Sequence, residues 1–482
     1  MKYFKYILLA VVGLFISSCG DEFLNPLPDS AIVTDAFFAS DDEVLAGIIG
    51  VYDAIQGVNE NTNTSLVSSN RGIQFEYMIS EMRTDNTRTA TLEGSKADFH
   101  RYRVEPNNIQ SEDYYESMYS VIFRANNILN FIEVADPANQ SRYAAEAKFL
   151  RAFAYFKLVR LYADVPLATD VVLPDDNETL FTRVAVARIY EQIVSDLQEA
   201  VDNLDNTYKS RASKAGAQGL LAKVYLSQPS PNYSAAEQLC LAIVTSGDFS
   251  LEENFTDVFY NELNDEILFA IQYEAGNTLE SQSFSSEFTA TFRQGREDGH
   301  NIVNDNLIAA FNEYGGNRTD QSFFDTGTWN EVIKFLPLGS DITTTPPTYG
   351  SSPRDAGNDW IVLRYADVLL MHAEAILAGG NETTSSAAID SYMAVRMRAG
   401  FDASDRPSVL TKDRLLVERR VELAFENQRF YDLLRFGVAD AVISAHAEEM
   451  GYTSYDSRKL LLPIPSREIN LSAGLLTQNP GY

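Results

Sequence analysis

The chain has 482 residues, 45% of them hydrophobic, and only two cysteines, so it can bury a large core without a disulfide framework. Its 38 basic and 68 acidic side chains give a formal net charge of −30, which argues against nucleic acid and anionic lipid heads as partners.

Lys2 and Lys5 precede an apolar run from Ile7 to Ile16. That run is shorter than the roughly 20 residues a bilayer-spanning helix needs. It ends in Ser17-Ser18-Cys19, small residues before a cysteine. This pattern predicts a lipoprotein signal peptide over 1–18, with Cys19 as the lipidated new N-terminus. Pro26 and Pro28 favour an extended leash, so 19–39 is read as anchor and leash. Stable anchoring by lipid takes more than one acyl chain. Residues 40–482 are read as a single domain.

Ser40-Asp41-Asp42-Glu43 predicts a capping box, opening a helix with Val44, Ile48, Val51 and Ile55 on one face. Ser111 and Ser141 are expected N-caps of two more helices. In the second, Ala147, Leu150, Ala154, Leu158 and Leu161 make one stripe, and Phe149, Phe153 and Phe156 another. An arc that wide predicts a helix packed between neighbours. Further helices are expected at about 183–204, 213–227, 234–246, 360–378, 385–398 and 411–430. Paired, alanine-rich helices predict tetratricopeptide-like hairpins. One strand is expected, where Ile267, Phe269, Ile271 and Tyr273 alternate with Leu268, Ala270 and Gln272. Cys240, in an apolar helical stretch, is expected to be buried. Stretches of about 57–110 and 274–358 are rich in Asn, Thr, Ser, Gly and aromatics. Long irregular loops in a compact protein usually carry function. The expected fold is therefore mostly α: a helical scaffold, with long loops and a minor β element forming a ligand-binding half.

The stretch Ala145-Glu146-Ala147-Lys148-Phe149-Leu150-Arg151-Ala152-Phe153-Ala154-Tyr155-Phe156, running on to Pro166-Leu167, resembles the core signature of the SusD/RagB lipoproteins of Bacteroidetes. Trp360 to Glu374, Glu418 to Gly437, and the tail from Leu462 to Tyr482 resemble later segments of the same family, in order. The resemblance implies a helical scaffold supporting a looped, ligand-binding half. It implies a non-catalytic surface lipoprotein that captures a nutrient, usually an oligo- or polysaccharide, and delivers it to a SusC-like TonB-dependent transporter. Position 20 is Gly, not the Asp that retains many lipoproteins at the inner membrane, and Asp21-Glu22 resembles the acidic export signal that places such lipoproteins on the cell surface. Peptide capture, as the RagB name suggests, is an alternative within the family. A lipid-anchored glycoside hydrolase and a scaffold that binds only proteins are alternatives outside it.

Charged residues of the signatures read as structural. Arg151, Glu146 and Tyr155 sit on the packed helix, where charges must be partnered. Arg419 with Glu422, and Glu426 with Arg429, stand at i, i+3, and Asp432 with Arg435 continues the pattern. His100, His300, His372 and His446 show no metal spacing, and no phosphate loop or nucleophile elbow occurs. No catalytic residue, cofactor or metal is assigned. Asp402-Ala403-Ser404-Asp405 offers carboxylates for a structural calcium but lacks the spacing and glycine of an EF-hand loop. Sugar capture needs a flat aromatic and planar polar groups. Trp329, in the irregular region, is the expected stacking residue, whereas Trp360 is read as core. Arg83, Asp85 and Asn86 are the expected polar contacts, with Phe99 and His100 beside them. Phe284, Phe288 and Phe292, at four-residue spacing, fit a buried helix face as well as a platform.

Overall fold

The computed structural model describes residues 37–59, 70–91, 93–289, 299–350 and 354–482. The expected signal peptide, Cys19 and Phe292 lie outside them. Eight helices build the scaffold, and each packs on the next in chain order. They are α1 (Asp41–Gln56), α2 (Ile109–Asn130), α3 (Gln140–Tyr162), α4 (Val186–Asn203), α5 (Lys214–Ser227), α6 (Tyr233–Ser246), α7 (Tyr365–Leu377) and α8 (Ser386–Arg398). Behind them come α9 (Lys412–Glu422), α10 (Arg429–Arg435) and α11 (Ala439–Glu449). The array is mostly helical, and its strands occur only in small two-stranded pairs.

Ser40 caps α1 as expected, but the second backbone bond of the expected capping box falls one residue earlier, on Ala39. Ser40 Oγ accepts from Glu43 N at 3.4 Å, and the Glu43 carboxylate accepts from Ala39 N at 2.9 Å. Val44, Ile48, Val51 and Ile55 are buried. The next two caps differ from expectation. Asn108, not Ser111, caps α2, accepting from the amides of Gln110 and Ser111. Helix α3 starts one residue before Ser141 and has no side-chain cap. Its double apolar stripe is buried along its length between α2 and α4. Cys240 is fully buried on α6.

Two long excursions leave this array and return to it. The first runs from the end of α1 to the start of α2, which pack together. The second leaves from strand β1 (Ile267–Ile271) and returns on β2 (Trp360–Arg364), which pairs with β1 antiparallel. The excursion thus begins and ends at adjacent backbones, and α6 and α7 still pack on each other. Residues 360–364, expected as helix, form this strand instead. A short run such as Trp-Ile-Val-Leu-Arg suits a buried strand as well as a helix, and pairing with β1 decides it. All five β1 residues are buried, so its alternation does not mark a half-exposed strand. The helix expected over 411–430 is also broken. It stops at Glu422, and Phe425 and Asn427 take φ of +68° and +59° before α10 begins.

The signature charges lie inside, as expected. Arg151 grips Asp196 through two bonds of 2.8 Å, Glu146 takes Arg211 and the Tyr52 hydroxyl, and Tyr155 bonds the Ala168 backbone. The α9 pairs differ from their sequence spacing. Arg419 binds Asp367 and Asp432, Glu422 binds Arg318, Arg364 and Arg398, and Glu426 binds Lys334 and Arg364. Arg429 reaches Asp85. Only Asp432 with Arg435 pairs at i, i+3 as expected. Asp402 and Asp405 accept each other's local backbone amides in a capping box.

Candidate functional site

The two excursions are stitched together at short strands. Thr87–Arg88 pairs antiparallel with Ile302–Val303, with Arg88 opposite Ile302. Bonds from Asn304 N to Asn86 O (2.9 Å) and from Ala90 N to Gly299 O (2.7 Å) extend the join at both ends. Beside it stands a hairpin of Phe323–Asp325 and Asn330–Val332. Its turn is tightly tied: Thr326 Oγ1 accepts from Trp329 N (3.0 Å) and donates to Trp329 O (2.9 Å), and Asp325 caps Gly327 N (2.7 Å). These bonds hold Trp329, partly exposed, at the hairpin tip. The Arg88 guanidinium lies over its ring, 5.0 Å from the centroid. One residue from each excursion therefore meets at the surface.

The same hairpin walls a polar cleft of about 900 Å³. Asn254, Asn312, Asp320, Gln321 and Asn330 bring amides and a carboxylate to it, and Phe323 and Phe324 bring aromatic faces. Planar polar groups beside aromatic rings suit a hydroxyl-rich ligand.

The other expected site residues lie elsewhere. Arg83 is 2% exposed, with its guanidinium donating to the Lys459 (2.6 Å) and Leu460 (3.1 Å) carbonyls and covering Phe430. Asp85 is held by Arg429 through two 3.0 Å bonds and by Arg420 at 3.0 Å. Asn86 joins Glu81 to Arg420, both at 2.7 Å. Phe99 is fully buried. His100 is buried with its ring against Tyr452 at 5.5 Å and neither nitrogen hydrogen-bonded. These five residues brace the looped half from within, and Trp329 alone of the six reaches the surface. Arg88, missed by sequence reasoning, stands beside it. Its signal was the strand pattern, with Thr87 inside and Arg88 outside. Trp360 is core, stacked on Phe335 at 5.3 Å. Phe284 and Phe288 are buried as well.

Buried titratable groups set a pH profile. Burial pushes Glu81 up to about 7, Asp359 to about 7 and Asp113 to about 6. The folded chain holds these protons where the unfolded chain has released them. Their stabilisation is present below the ordinary carboxylate range and is lost as pH rises through about 6–7. Burial also pushes Asp85 and Glu422 up, but Arg429 and Arg420 on the first, and Arg398, Arg364 and Arg318 on the second, outweigh it and hold both well below the usual range. Their stabilisation is present above about pH 4 and is lost as pH falls. Burial lowers His100 to about 3, so acid also favours the unfolded chain from about pH 6.5 downward. Urea midpoints should therefore fall from about pH 5 to about pH 8 as Glu81, Asp359 and Asp113 ionise, level off above that, and fall again below about pH 4 as Asp85 and Glu422 take up protons. Midpoints still rising from pH 6 to 8.5 would contradict the assignment of Glu81 and Asp359.

A serial helical array that supports one looped half, where excursions from two distant parts of the chain meet, defines the class: a helical scaffold displaying loops. Comparison with known proteins carries this further. Residues 22–226 match the family model "Starch-binding associating with outer membrane", and residues 341–482 match the SusD family model. SusD-like protein P2 of Formosa agariphila is 27% identical over the full length of both chains. A SusD-like protein of Bacteroides ovatus is 25% identical over 89% of this chain and 82% of its own. Among solved structures, a laminarin-binding SusD-like protein superposes with a TM-score of 0.75 at 24% identity, covering 92% of this chain and all of that one. Surface glycan-binding protein A from Bacteroides thetaiotaomicron, in complex with laminarihexaose, gives 0.75 at 21% identity, covering 91% of this chain and 99% of that one. The chain belongs to the SusD/RagB family.

Proposed function

We propose that this chain is a lipid-anchored, cell-surface glycan-binding protein that captures oligo- or polysaccharide without cleaving it and passes it to a SusC-like TonB-dependent transporter. The observation that carries the reading is the Trp329 hairpin, which sets a partly exposed indole beside a cleft of amides, carboxylates and aromatic rings. The laminarin and laminarihexaose named for two proteins of the same fold support it, as does the outer-membrane association in the name of the matching family model. No helix among the described residues is long and apolar enough to cross a membrane; the proposed attachment is by acyl chains on Cys19. Residues 40–482 act as one unit, the helical array carrying the looped half. The array also bears an apolar groove of about 450 Å³, with Tyr119, Phe123, Phe181 and Leu476 in its walls, which suits a protein partner such as the transporter.

Native gels cast with individual soluble polysaccharides test the capture step. Migration should slow in at least one, with no reducing sugar released. Trp329→Ala should weaken retention about tenfold or more, as removal of a central aromatic contact does, with an unchanged melting temperature. Unchanged retention would remove Trp329 from the site. Binding to oligopeptides but to no glycan would replace the reading with peptide capture. Extraction in mild detergent tests the rest: acyl label on Cys19, absent in Cys19→Ser, and co-recovery with a large barrel protein.

A further inference from the structure

The geometry points to an acid-reading subsite at Arg88 and Trp329, which takes the carboxylate or sulfate group of an acidic polysaccharide. This rests on the glycan-capture reading above and narrows it to a substrate class. A chain with a formal net charge of −30 repels polyanions at long range, so an acidic glycan must be read by a local cation.

Arg88 differs from the arginines that ion pairs hold. Interior arginines such as Arg151, Arg318, Arg364 and Arg419 are each held by buried carboxylates. Surface arginines such as Arg124, Arg188 and Arg406 have acidic partners too. Arg88 forms no ion pair among the described residues. Its one hydrogen bond goes from Nη1 to the adjacent Thr89 carbonyl, at 3.3 Å. The Trp329 ring beneath it removes water from one guanidinium face and leaves the planar fork of N–H donors for an acceptor. Carboxylate and sulfate oxygens match that fork bidentately, and a neutral hydroxyl does not. A uronic acid or sulfated sugar carries a ring and an anionic group side by side. An indole and a guanidinium 5.0 Å apart present the complementary pair.

Other charged groups stand near Arg88. Arg88, Arg101 and Arg103 all bear on the buried His100 ring and, after burial itself, oppose its protonation. Arg101 and Arg103 share the Glu93 carboxylate, and Arg103 also meets Asp98 at 3.4 Å, so their charges are partnered locally. Short strand pairing fixes where Arg88 stands, opposite Ile302.

The test uses two sets of gel-cast or titrated polysaccharides. Polygalacturonate, alginate and a sulfated galactan form the acidic set; starch, laminarin and xyloglucan form the neutral one. The expected result is retention by at least one acidic polymer and by none of the neutral ones, weakening as salt rises. Arg88→Ala should lose about tenfold or more in affinity for that polymer. Arg88→Lys, which keeps the charge without the fork, should recover only part of it. It also serves as the test variant if the alanine form fails to fold. Retention by a neutral polysaccharide, with Arg88→Ala unchanged, overturns this inference and leaves glycan capture standing. Acidic retention unaffected by both Arg88 variants overturns the assignment to this site. No retention by any polysaccharide overturns both.

Discussion

Replacing Arg364 by Ala should destabilise the fold by about 3–5 kcal/mol, the usual consequence of removing one partner from a buried ion network. Arg364 is 1% exposed. Its Nε and Nη2 bind both oxygens of Glu426 at 2.7 Å, and its Nη1 binds Glu266 at 2.7 Å and Glu422 at 2.6 Å. Glu422 is also shared with Arg318 and Arg398, and Glu426 with Lys334. Without Arg364, three buried carboxylates lose a common countercharge. Glu422, Glu426 and Glu266 each keep another cation but are left short of positive charge and take up protons more readily, so the loss should grow with pH. Arg364→Met separates charge from volume. It fills most of the space and should still destabilise strongly, because the three carboxylates still lack its countercharge. Arg406→Ala is the control. Its pair with Asp390 is solvent-exposed, at 40% and 64%, and its removal should leave the urea midpoint unchanged. An unchanged midpoint for Arg364→Ala would mean that the network adds specificity and no stability.

That network shows where sequence reasoning stops. The periodicity of Ala147, Leu150, Ala154, Leu158 and Leu161 announces a sandwiched helix, because burial on a helix is a local property of spacing. Partner choice is not local. Arg419 and Glu422 stand three apart, yet each is claimed by residues from other elements. The same limit governs the site. Arg83, Asp85 and Asn86 read as a dense polar loop, and such a loop looks alike whether it meets a ligand or locks a buried cluster. Arg420, Arg429 and the Lys459 carbonyl decide it, and all lie more than 300 residues away. Trp329 was legible because an aromatic among Gly and Thr has few packing partners nearby. Arg88 was hidden because its value depends on a hairpin in the other excursion.

Gly57→Ala should be the most damaging small substitution in the looped half. Gly57 ends α1 with φ of +71°, and Gly72 returns beside it with φ of +53°. A Cβ on Gly57 would stand 2.1 Å from the Arg71 carbonyl carbon and 2.4 Å from Gly72 N. The returning segment is held in place, because Arg71 N is bonded to Asp113 at 3.0 Å, Gly72 N to Ser117 at 3.3 Å, and Val58 N to Asn70 O at 2.8 Å. Backbone strain and overpacking together should cost about 2–6 kcal/mol. Gly437→Ala, with a similar φ of +72° and open space around it, isolates the strain alone and should cost about 1–2 kcal/mol. The crossing at Gly57 and Gly72 is where the chain leaves the helical array for the excursion that carries Arg88. Gly57→Ala should therefore lower the melting temperature and weaken glycan retention together, whereas Gly437→Ala should lower stability slightly and leave retention intact. Retention that survives in a destabilised Gly57→Ala protein would show that Arg88 is positioned by its pairing with Ile302 rather than by the exit from α1.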